Sequence, residues 1–144
     1  MKPSTPGAES LNTALKAGQR LPATGSFTAK VNPPFYPGYP EIVADDFFYT
    51  NPTGYPHFVA QQFIDQPKSI AQGVEASIIQ TDRTGGINIS FLVGGQNQET
   101  VVVRFTSFSW SFDTKKIMGR FSGIAVYKGL EHTISDAVLE MEYE

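Results

Sequence analysis

From Gly25 the chain alternates. Phe27, Ala29 and Val31 take one parity, and Ser26, Thr28 and Lys30 take the other. This two-residue period marks a strand with one face on a core. Asn32-Pro33-Pro34 ends it, and strand character returns over residues 41–50. A turn at Asn51-Pro52-Thr53-Gly54 precedes a further strand from His57 to Ile64. Val74–Thr81 is the next strand, Asp82-Arg83-Thr84-Gly85-Gly86 the turn after it, and Ile87, Ile89 and Phe91 alternate beyond. Gly94-Gly95-Gln96-Asn97 reads as a hairpin turn.

Val101, Val103 and Phe105 share a face, but so do Phe108, Trp110 and Phe112, with Ser107, Ser109 and Ser111 opposite. The parity has slipped by one. A β-bulge, or a corner between two sheets, is expected at Thr106-Ser107 to absorb the slip. Residues 115–127 form a strand in which Gly119 and Gly123 mark bending or close backbone approach. The last strand turns Leu139, Met141 and Tyr143 inward and Glu140, Glu142 and Glu144 outward.

About eight strands with short turns predict an all-β fold, either an antiparallel β-sandwich or a closed β-barrel. Residues 25–144 form one β-domain. Residues 1–24 form a polar leader that is either flexible or a short helix carrying Ala8, Leu11, Ala14 and Leu15 at helical spacing.

Composition sharpens this picture. A length of 144 residues suits one domain, and 40% hydrophobic residues supply its core. All ten prolines lie within the first 67 residues, which leaves the second half free to be regular sheet. The net charge of -3 and the lone basic pair Lys115-Lys116 argue against nucleic acid as a partner. Without cysteine there is no disulfide and no thiolate metal site. No apolar run is long enough to span a bilayer as a helix. Met1–Gly7 lacks the apolar stretch of a signal peptide. A cytoplasmic location fits, and so does export with a signal already removed.

Near the C-terminus, Gly119-Arg120-Phe121-Ser122-Gly123 is followed by Ile134-Ser135-Asp136-Ala137-Val138-Leu139. Over residues 119–139 this resembles the closing hairpin of small bacterial all-β domains of unknown function, which end in G-x-F-S-G and I-[ST]-D-G-x-F. Ala137 stands in place of the glycine and Leu139 in place of the phenylalanine. The resemblance implies a β-sandwich, in a group often exported or lipid-anchored, and brings no catalytic residue.

The segment 32–58 concentrates rings: Phe35, Tyr36, Tyr39, Phe47, Phe48, Tyr49, Tyr55 and Phe58. Tyr36, Tyr39, Tyr49 and Tyr55, with His57, are the candidate binding residues, because tyrosine joins apolar area to a hydroxyl on a proline-stiffened backbone. The bland alternative makes Phe35, Phe47 and Phe58 core and lays the tyrosines against the domain surface. Asp45-Asp46 with His57 has ligand chemistry, but neighbouring strand residues face opposite ways, so edge carboxylates are expected instead. His132 is expected on the surface, in the turn before the last strand. The serine row Ser107, Ser109 and Ser111 is expected to face solvent, with a hydroxyl ladder to another β surface as the functional alternative. The sequence implies no cofactor, metal or catalytic residue.

The leading functional expectation is a non-enzymatic binding or assembly module using its Tyr/Phe/Pro-rich surface. Its partner is another protein, a second copy of the chain, a carbohydrate or a small apolar ligand. One alternative is a carrier of a small apolar ligand, with a cavity lined by Phe91, Val103, Phe105 and Phe121. A second is a cofactor-free or glycan-active enzyme.

Overall fold

The alternation of Phe27, Ala29 and Val31 buries all three against the sheet interior. The same rule organises the rest of the chain. The computed structural model describes residues 20–50, 56–65, 68–80, 85–95, 98–113 and 115–143, with the side chains of 79, 80 and 85 excepted. The leader helix, the turn at 51–54, Asp82–Thr84, Gln96-Asn97, Tyr55 and Glu144 fall outside the described residues.

The strands are β1 (Leu21–Pro22), β2 (Thr24–Asn32), β3 (Glu41–Val43), β4 (Asp46–Thr50) and β5 (His57–Phe63). They continue as β6 (Ala71–Gln80), β7 (Gly85–Gly94), β8 (Glu99–Asp113), β9 (Lys116–Tyr127) and β10 (Leu130–Glu142). The fold is all-β and every pairing is antiparallel.

The architecture corrects the expectation of an eight-stranded sandwich or closed barrel. Ten strands make one curled sheet, a half-barrel in the order β1-β4-β5-β6-β7-β8-β9-β10-β2-β3. The expected strand over 41–50 divides at Ala44-Asp45, because there the chain changes partner. The Ala44 amide donates to the Phe27 carbonyl and the Asp45 amide to the Gln61 carbonyl, both at 2.9 Å. The two outermost strands, β1 and β3, are not paired to each other, so the ladder does not close.

β8 turns the corner between the two halves of the sheet. It pairs with β7 only over Glu99–Val102, and with β9 from Val103 to Asp113. The β8–β9 register slips between Phe105 and Ser107, where the parity change placed the bulge. A second slip separates Ile134 from Ala137 in β10, and Asp136 sits there at φ 52°.

The interior is filled with rings. Phe91 lies 5.6 Å from Phe35, 6.0 Å from Phe121 and 6.2 Å from Phe27, centroid to centroid. Burial of each such side chain contributes about 1.5–3 kcal/mol. Ile42, Phe58, Ile117, Leu139 and Met141 extend the same core.

His132 is not on the surface. Its β-strand begins at Leu130, earlier than expected, so His132 shares the inward parity of Ile134 and is 2% exposed. Its Nδ1 lies 2.5 Å from the Pro33 carbonyl oxygen, and its ring lies 4.7 Å from that of Phe35. With a carbonyl as partner, Nδ1 carries the proton.

Candidate functional site

Tyr36, Tyr39, Tyr49 and His57, the candidate binding residues that the structure describes, do not share one surface. Tyr36 and Tyr39 lie in the loop between β2 and β3. The Tyr39 hydroxyl donates to the Ile64 carbonyl at 3.3 Å, which fastens that loop to the end of β5. Burial, and next the nearby Tyr127, raise the Tyr36 hydroxyl above the ordinary tyrosine pKa. Tyr49 lies toward the opposite end of β5, where it pairs with Phe58. It turns inward, with its ring 4.4 Å from Tyr143 and 6.3 Å from Phe58. Burial, and next the neighbouring Tyr49, raise the Tyr143 hydroxyl pKa. Of the other rings in the segment, Phe35 and Phe58 are core and Phe47 packs against it. Phe48 faces out beneath the Arg20 guanidinium, 4.3 Å from its ring centre.

His57 joins a polar network instead. It stands directly across from Ser77 on the outer face of β5 and β6. Its Nδ1 lies 2.6 Å from the Ser77 hydroxyl and its Nε2 3.2 Å from a Glu75 carboxylate oxygen. A carboxylate only accepts, so Nε2 carries a proton and donates. When the ring is neutral, Nδ1 accepts from Ser77. The other Glu75 oxygen accepts from the Ser90 hydroxyl at 3.1 Å and the Thr100 hydroxyl at 3.4 Å. One carboxylate thereby ties four neighbouring strands, β5 through β8.

The hydrogen bond from His57 holds the Glu75 carboxyl below the ordinary carboxylate range. The His57 charge interaction and the two hydroxyls add to the effect, against the opposing influence of burial. The Glu75 contribution is therefore fully present above the unfolded value of about 4.5 and is lost as pH falls through the lower folded value. Glu75→Gln is expected to cost about 1–2 kcal/mol at pH 7, and the gap from the parent should narrow below pH 4.5. Urea midpoints of both proteins at pH 7 and pH 3 measure this. A gap that stays constant would remove Glu75 from the acid response.

Ser77, His57 and Glu75 have the connectivity of a nucleophile, base and orienting acid. Acyl transfer also needs donors aimed at a developing oxyanion. Here the surrounding backbone is committed to sheet ladders on both sides of β6. The network links β5, β6, β7 and β8 side chain to side chain. Neither Glu75 nor Ser77 stands out in the sequence, because only strand register brings them to His57.

Asp45 and Asp46 do not converge with His57. The Asp45 backbone amide pairs with Gln61, and the Asp46 carboxylate accepts from the Gln61 side-chain amide at 2.9 Å. No group of three or more metal-ligating side chains occurs among the described residues.

The remaining feature is the edge of β8. Beyond Val102, β7 no longer pairs with it. Among the described residues, Arg104–Asp113 therefore meet a partner strand only on the β9 side. Ser107, Ser109 and Ser111 are exposed, Phe108 is 37% exposed, and Trp110 and Phe112 are half-buried. Ser107 and Thr106 hydroxyls lie 2.7 and 3.1 Å from the Ser122 hydroxyl, so part of the serine row is laced to β9. No helix among the described residues is long and apolar enough to cross a membrane. No family model matches the chain, and no curated protein or solved structure is significantly similar to it.

Proposed function

We propose that this chain is a non-enzymatic binding or assembly module that accepts an extended strand along β8. The observation that carries this reading is the contrast between its sheet edges. β1 and β3 are two and three residues long, bordered by Pro22 and by Pro40-Glu41. Short strands, proline and charge are the usual protections of an edge. From Phe105 to Phe112, β8 carries neither proline nor charge, and it alternates serine with aromatic rings. A ladder left without a second partner strand among the described residues offers main-chain hydrogen bonds for affinity and alternate side chains for selectivity.

This reading keeps the expected class of function and shifts its contact surface from the tyrosine segment to β8. The ring-filled centre described above weighs against an apolar-ligand carrier, which needs space there.

Trp110 is the only tryptophan and reports directly on this edge. The probe is a synthetic peptide copying residues 104–113 with phenylalanine at the Trp110 position, added to dilute protein. A saturable blue shift of Trp110 emission and slowed amide exchange in β8 are expected. Unchanged emission and exchange up to about 1 mM peptide, the weak end of specific association, would overturn the reading.

A further inference from the structure

We infer that the strand accepted at this edge is β8 of a second copy, paired antiparallel about a twofold axis through Ser109. The inference rests on the edge-docking reading above and adds the partner and the register. Thr106 is the extra residue of the bulge, since Phe105 stands opposite Gly123 and Ser107 opposite Ser122. With Thr106 set aside, Arg104, Ser107, Ser109, Ser111 and Asp113 lie on the outer face of β8. Phe105, Phe108, Trp110 and Phe112 lie on the inner face.

A twofold at Ser109 matches these faces, with only the bulge residue Thr106 left over. Ser109 meets its own copy, Ser107 meets Ser111, Phe108 meets Trp110, and Phe105 meets Phe112. At each end Arg104 meets Asp113 of the other copy. Every apolar residue thus opposes an apolar one, every serine a serine, and the two charges are complementary. Aromatic pairs and opposite charges directly across antiparallel strands are both favourable. Moving the axis by half a residue, to the midpoint of Ser109 and Trp110, would set rings against serines, and moving it by a whole residue in either direction would keep rings on rings but part Arg104 from Asp113. A twofold contact is also self-limiting: it uses the same patch on both copies and closes at a dimer. The edge needs no separate guard if a second copy occupies it.

The absence of cysteine makes the test clean, because any introduced thiol has only its counterpart in another molecule to react with. Directly opposed side chains have Cβ atoms roughly 4.5–5.5 Å apart, near the span that a disulfide closes. Ser109→Cys is expected to cross-link to itself under mild oxidation. Ser107→Cys and Ser111→Cys are each expected to cross-link poorly alone and readily when mixed. Thr28→Cys, exposed on β2, is the control and should stay monomeric on a denaturing gel.

Sedimentation of the parent chain at roughly 100 µM, a range that detects micromolar association, is expected to give a dimer. Arg104→Glu should weaken it about tenfold, and adding Asp113→Lys should restore it. Circular dichroism verifies that each variant keeps its sheet.

A dimer in which Ser109→Cys fails to cross-link, or in which Ser107→Cys links to itself, overturns the register. A parent chain that stays monomeric, with no Ser109→Cys product, overturns the self-pairing. The peptide titration decides the parent reading separately. Peptide binding to a monomeric chain would leave the edge as a docking site for another protein, whereas no binding would remove both.

Discussion

Phe91→Ala is expected to lower stability by about 3–5 kcal/mol, the usual cost of deleting a buried aromatic ring. Phe91 is fully buried, and the rings of Phe27, Phe35 and Phe121 surround it at 5.6–6.2 Å. These four come from β2, the loop after it, β7 and β9, elements distant in the chain. The cavity left behind would border all of them, and ladder-bound strands have little freedom to collapse into it. A domain's whole stability is of order 5–15 kcal/mol, so the variant would sit near the limit of folding. At about 2–4 °C per kcal/mol for a chain of this size, the melting midpoint should fall by roughly 10–15 °C. Phe108→Ala, at an exposed edge position, should cost far less. Thermal and urea unfolding of the two variants would test this. Equal losses would contradict the core assignment.

Gly123→Ala is expected to be nearly as damaging for a different reason. Gly123 stands opposite Phe105 at the slip in register. A Cβ there would overlap the Arg104 carbonyl oxygen and come within 2.9 Å of a Val103 methyl. Backbone in a paired strand cannot yield as a flexible side chain does, so β8 and β9 must separate at the bulge. Overpacking of this kind typically costs about 1–3 kcal/mol and more where backbone is involved. Gly119, in the same strand, provides the comparison. A Cβ at Gly119 meets only the Ile89 Cδ1 at 3.7 Å and the Ser109 carbonyl oxygen at 3.9 Å, both ordinary contacts. Gly119→Ala should be neutral or slightly stabilising, because alanine loses less backbone freedom on folding. Urea midpoints that rank Gly119→Ala as the more harmful would show that the β8–β9 approach is misplaced. The sequence marks both glycines in one way, and only packing separates them.

The candidate site was less legible than the strands. His57 is visible as one of two histidines, but its partners Glu75 and Ser77 lie in an ordinary strand pattern. Their meeting depends on His57 standing across from Ser77, a register that no local signal encodes. The placement of the tyrosines was hard to read for a related reason. A proline-rich run is readable as irregular backbone, yet which of its rings plug the interior depends on where the loop folds over. Phe35 covers His132 and Phe91 from that loop, and Tyr49 turns inward beside Tyr143.

What the sequence determined by itself is the two-faced character of each strand. Alternation is a local property of extended backbone, so it survives without knowledge of neighbours. The inward set Phe27, Ala29 and Val31, the outward serines of β8 and the slip between Phe105 and Ser107 all follow from it. What only the tertiary structure decided is which strands meet, and for how many residues. The departure of β7 from β8 at Val102 leaves the rest of β8 paired only to β9 among the described residues. That departure reflects the curl of the whole sheet around its phenylalanine core, a balance among distant contacts that no stretch of chain contains on its own.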